Sequence, residues 1–82
     1  MITYHATLAA FTAKAVELRA AGYALEPSIQ SHSGTHQPSI RAFKGDEMIR
    51  VELNAMNNEA YFLRRTHAFD LACEIIDNSK GN

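Results

Sequence analysis

No stretch of this chain approaches the roughly 20 consecutive apolar residues that cross a bilayer. The first residues, Met1-Ile2-Thr3-Tyr4-His5, lack the basic start and long apolar run of a secretory signal. Both absences point to the cytoplasm. Cys73 is the single cysteine, which excludes an internal disulfide framework and fits a reducing compartment. Its apolar neighbours mark a core thiol rather than a nucleophile. The four glycines, at 22, 34, 45 and 81, stand singly, so neither G-x-x-x-x-G-K-S/T nor G-x-G-x-x-G is present and nucleotide binding through a phosphate loop has no support. An excess of one charge is missing too. Eight Lys plus Arg against nine Asp plus Glu leave a formal charge of -1, which gives the whole molecule no long-range attraction for phosphate or anionic lipid.

What is present is the composition of a folded domain. Apolar residues make up 46% and charged residues 21% of 82 residues, near the globular averages, and a chain of this length has room for one core. The expectation is a single domain over 1–82, with an ordered core at 7–78 and a frayed tail at 79–82.

From Thr7 to Ala21 the sequence is rich in Ala and straight-chain residues, and Leu8, Phe11, Ala15 and Leu18 recur at three- and four-residue steps. This predicts an amphipathic helix with Thr3 or Thr7 as N-cap and Gly22 as the left-handed residue that ends it. Tyr23, Leu25 and Ile29 then alternate with Ala24, Glu26 and Ser28 around Pro27, the pattern of an edge or bulged strand. Ser31 to Pro38 reads as a loop. Ser39–Lys44 and Met48–Asn54 read as a hairpin across Lys44-Gly45-Asp46-Glu47, with Ile49, Val51 and Leu53 facing the core. Asn57-Asn58 is a further turn signal, and 60–65 could add a short fourth strand. Thr66 is the expected N-cap of a helix from His67 to Asn78, with Phe69, Ala72, Cys73 and Ile76 on its core stripe. The predicted fold class is α+β, in the order α-β-β-β-(β)-α, an antiparallel sheet with both helices packed on one face.

Candidate chemistry is thin. His32 and His36 have a metal-ligand spacing but lie in the predicted loop with no third ligand nearby, so they read as solvated histidines. His67 lies six residues from Cys73, on a different part of the helix from that thiol. Asp70, Glu74 and Asp77 form a row on the outer face of the last helix, a solubilising surface. No catalytic, metal or cofactor site is predicted. The feature that stands out is the exposed sheet face, where Arg41, Met48, Arg50 and Glu52, joined by Arg64 or Arg65, can approach one another and form a partner-binding surface.

The order helix, three strands, helix over roughly residues 7 to 78 resembles the double-stranded RNA-binding domain. That family carries a Gly-Pro-x-His element between its first two strands, and here Gly34-Thr35-His36 precedes Pro38. The family's last helix opens on a lysine cluster that meets phosphates, where this chain has Arg64-Arg65-Thr66-His67-Ala68. The resemblance implies nucleic-acid contacts at His36, Arg64, Arg65 and His67. Asp70, Glu74 and Asp77 line the same helix and oppose phosphate. The preferred expectation is therefore a non-catalytic protein-binding module, an accessory or inhibitor protein of the kind phages and mobile elements carry, acting on a larger host assembly. Double-stranded RNA binding is the alternative. Self-association through the Pro27 strand or the bare sheet face is a further expectation.

Overall fold

The computed structural model describes residues 2–32, 35–53 and 64–80. Its elements run β1 (Ile2–Ala6), α1 (Leu8–Ala20), β2 (Ala24–His32), β3 (Thr35–Lys44), β4 (Glu47–Leu53) and α2 (Arg65–Ser79). The class is α+β, as expected, but the sheet is mixed. Its order is β1-β4-β3-β2, and β1 runs parallel to β4 with Ile2 beside Ile49 and Ala6 beside Leu53. The wholly antiparallel sheet predicted from the sequence is corrected on this point, because the N-terminal segment is a strand. Ile2, Tyr4 and Ala6 alternate with Thr3 and His5, a strand period in a segment too short to declare itself.

Helix α1 forms where its composition dictates. Thr7 is the N-cap, its Oγ1 accepting from the Ala10 amide at 3.3 Å. At the other end the Tyr23 amide reaches back to Leu18 O and the Gly22 amide to Arg19 O, both at 3.0 Å, with Gly22 at φ +95°. This pair of bonds is a Schellman closure, and it needs a residue without a Cβ at the turn. The C-terminal carbonyl of Ala21 accepts from Lys44 Nζ at 2.9 Å, which ties the helix end to the β3–β4 hairpin. Beside it Tyr23 Oη donates to Glu47 Oε2 at 2.7 Å, and that bond to a carboxylate pushes the Tyr23 phenol above its ordinary value of 10.0.

Of the segment expected as a loop, Ser31 to Pro38, residues 31–32 and 35–38 belong to strands. Ser31 pairs with His36 and Ile29 with Pro38, so β2 and β3 form a long hairpin. A proline in a central strand lacks a ladder donor. The β3–β4 pairing ends at Ser39 opposite Glu52, one residue before Pro38, so no amide is demanded of Pro38 on that side. Side chains take over there: Gln30 Nε2 donates to Leu53 O at 3.4 Å, and buried Ser39 Oγ donates to Val51 O at 3.1 Å.

One cluster forms the core, joining Phe11, Ala15 and Leu18 of α1 and Ile75 and Ile76 of α2 to Ile40, Ala42, Ile49, Val51 and Leu53 of the sheet. Helix α2 differs from expectation at both ends and in its facing. It begins at Arg65 with Arg64 as a cap that makes no side-chain bond, so Thr66 lies inside the first turn. It continues through Ser79, which is buried, accepts from Arg19 Nε at 3.0 Å and donates to Ile76 O, so the helix extends past both limits expected for it. Its buried residues are Ala68, Ala72, Ile75, Ile76 and Ser79, whereas Phe69 is 44% exposed and Cys73 half-buried. Of the expected fourth strand at 60–65, residues 60–63 lie outside the described residues, as does the turn at Asn57-Asn58, while Arg64 is the helix cap and Arg65 opens α2. No helix among the described residues is long and apolar enough to cross a membrane.

Candidate functional site

Alternation along paired strands puts Arg41, Met48, Arg50 and Glu52 on the side of the sheet opposite the core. Arg41 is the direct cross-strand partner of Arg50, Phe43 of Met48, and Ser39 of Glu52. Register also brings Thr3 beside Arg50 and His5 beside Glu52, two neighbours the sequence reading missed because it had no first strand. Each arginine has a carboxylate: Arg41 Nη2 lies 3.4 Å from Glu26 Oε1, and Arg50 Nε lies 3.1 Å from Glu52 Oε2. The second pair is close without the alignment of a hydrogen bond, since Arg50 Nε is buried and without a hydrogen-bond partner.

This face is only partly open. Ser39 is buried, and Gln37 is 1% exposed with neither carboxamide atom hydrogen-bonded among the described residues, while Arg41, Met48, Arg50 and Glu52 are half-buried. The exposed surface is thus narrower than a bare sheet side, open along the β2 edge to which Arg41 reaches and along β1, where Thr3 and His5 are exposed.

At that edge lies an open groove of about 350 Å³ between β2 and the start of α2. Pro27, Ser28 and Ile29 form its strand wall, Thr66 and Phe69 its helix wall, and Arg41, Arg65 and Asp70 supply its charges. Two of the six residues expected at the partner surface, Arg41 and Arg65, therefore meet here. Arg64 is exposed at the helix start and does not line the groove. Phe69 is the residue that sequence reasoning placed wrongly. It flanks the buried stripe of α2 but faces the groove because the sheet ends at β2. The overlap of two apolar stripes on α2 was the available signal.

Of the residues of the nucleic-acid alternative, His36 lies on β3 and the other three at the start of α2. His36 is held in the hairpin ladder, its Nδ1 2.9 Å from Ser31 Oγ, rather than carried on a protruding loop. His67, Arg64 and Arg65 are exposed at the α2 N-terminus. The side chain of His32 lies outside the described residues. Among the described residues no three His, Cys, Asp or Glu side chains gather as a metal site. Comparison of the chain with protein-family models, with curated proteins and with solved structures gives no match in any of the three.

Proposed function

We propose that the chain is a non-catalytic protein-binding module, an accessory or inhibitor protein that acts on a larger assembly. Its partner contacts the groove at the β2 edge and the adjoining arginine side of the sheet. The observation that carries this reading is Phe69, a large aromatic side chain 44% exposed beside Pro27, Ile29, Arg41 and Arg65. Aromatic and arginine side chains grouped in a hollow are the residues on which protein interfaces concentrate their energy. Both helices lying on the core side of the sheet is part of the same reading, supported by the single cluster they share with β3 and β4.

The proposed setting is a phage or mobile element, and the proposed target class a host enzyme or assembly. The test is affinity capture from host lysate with nuclease treatment, run with wild type, Phe69→Ser and Arg65→Glu. One polypeptide retained after nuclease and lost in both variants, with their melting curves intact, is the expected result. Capture that disappears with nuclease, or that persists in both variants, refutes the reading. A nuclease-sensitive result weakened by Arg64→Ala/Arg65→Ala establishes the RNA alternative instead.

A further inference from the structure

The two ends of the sheet are built differently. At the β2 end, Pro27 removes a main-chain donor, Glu26 and Arg41 form an ion pair, and the start of α2 stands beside the strand across the groove. These are the devices by which sheets block edge-to-edge pairing. Among the described residues, strand β1 itself carries none of them. Its five residues, Ile2-Thr3-Tyr4-His5-Ala6, include no proline, lysine, arginine or carboxylate, and Ile2 and Tyr4 are 55% and 40% exposed. Among the described residues β1 pairs with β4 alone, so the amides and carbonyls on its outer side face away from the described sheet.

Helix α1 continues this surface. Lys14 Nζ sits 4.0 Å from the centre of the Tyr4 ring, and Tyr4, His5, Ala6, Ala10, Ala13, Lys14 and Glu17 share one shallow hollow with Thr7. Beside the exposed Glu17, one stripe of α1 carries small or short apolar residues, with Ala9, Ala13, Val16 and Ala20 all exposed. A second helix could approach it closely.

We infer that a second copy of this chain occupies this surface, β1 pairing antiparallel with β1 of its partner about a twofold axis, so that two four-stranded sheets become one of eight strands. Two features select a copy over another polypeptide. The strand is self-matching: a twofold at Tyr4 sets Ile2 against Ala6 and Thr3 against His5, so each side chain meets one of its own kind on its own face of the sheet. The charge is self-complementary as well. The hollow holds one cation and one anion, Lys14 and Glu17, 3.3 Å apart. A twofold brings each within reach of its opposite on the partner, whereas a strand of single charge would leave one of them facing a like charge. This inference uses the side of the molecule remote from the β2 groove, so it stands or falls independently of the proposed function.

Sedimentation equilibrium over a wide concentration range tests it. Wild type is expected to pass from monomer to dimer mass as concentration rises, and Phe69→Ser to do the same. Tyr4→Lys puts like charges face to face on the axis and is expected to stay monomeric with an unchanged circular dichroism spectrum. Lys14→Glu is expected to weaken the dimer about tenfold, two symmetric contacts being lost. Lys14→Glu combined with Glu17→Lys is expected to restore it, which guards against a folding defect. Wild type that remains monomeric throughout, or a dimer indifferent to Tyr4→Lys and broken by Phe69→Ser, overturns the inference.

Discussion

Arg41 and Arg50 stand directly opposite each other on β3 and β4, and each turns to a different carboxylate, Glu26 on β2 and Glu52 on β4. Like charges opposed across a strand pair are unfavourable, so the two carboxylates are what make the juxtaposition tolerable. The Arg50–Glu52 pair is the better shielded, with side-chain exposures of 31% and 18% against 43% and 54% for Arg41–Glu26. Glu52→Gln should therefore cost about 1 kcal/mol, Glu26→Gln less than about 0.5 kcal/mol, and Arg50→Gln added to Glu52→Gln should recover most of the loss. Urea midpoints of the four proteins decide it. Equal effects at Glu26 and Glu52 contradict the difference in shielding.

Ser39 is the second polar residue whose place on the sheet is structural. Its hydroxyl donates to the Val51 carbonyl at 3.1 Å, and both residues are fully buried. Ser39→Ala leaves that carbonyl without this donor and should destabilise by about 1–2 kcal/mol. Its half-buried cross-strand neighbour Ser28 is the control, and Ser28→Ala should fall within about 0.5 kcal/mol of wild type. Chemical denaturation of the pair separates a hydrogen bond from mere strand position.

The parts legible in the sequence were those with local punctuation. Thr7 and Gly22 bracketed α1, and Gly45 marked the β3–β4 hairpin with Ile49, Val51 and Leu53 inward. Strand β1 was not legible, since its parallel partner β4 lies far along the chain and no turn joins them. Residues 31–38 resembled a loop because small polar residues, Gly34 and Pro38 crowd there, which hid the strand positions at 31–32 and 35–38. Only the ending of the β4 pairing at Ser39 shows why a proline is tolerated there. The arginine pair of the site was legible from alternation. The groove was not, because the exposure of Phe69 depends on where the sheet stops.

Gly22 and Gly45 both have positive φ, yet their substitutions should differ. At Gly22, φ is +95°, outside the left-handed basin that side chains tolerate, and an added Cβ would lie 3.7 Å from Lys44 Cε, an ordinary contact. The limit there is backbone strain rather than space, and Gly22→Ala should cost about 1–2 kcal/mol. At Gly45, φ is +58° with nothing within 4 Å of a Cβ, so Gly45→Asn should change stability by less than about 0.5 kcal/mol. Thermal melts giving the same loss for both would show that φ at Gly22 is not the controlling term.

The bond from Tyr23 to Glu47 predicts behaviour at alkaline pH. Glu47 accepts the phenolic proton and its negative charge opposes phenolate formation, so the folded protein holds Tyr23 protonated above its ordinary value of 10.0. Because the folded-state value is raised, the stability this contributes is complete below the unfolded value near 10 and is lost as pH rises through the folded value. The phenolate absorbance difference between wild type and Tyr23→Phe isolates this one residue, and its midpoint should lie above that of free tyrosine. Glu47→Gln should move the midpoint down toward the free value, and both variants should show a weaker dependence of stability on pH in the alkaline range. A midpoint that Glu47→Gln leaves in place would mean that the carboxylate does not set it, and would remove the link between Tyr23 and the hairpin turn.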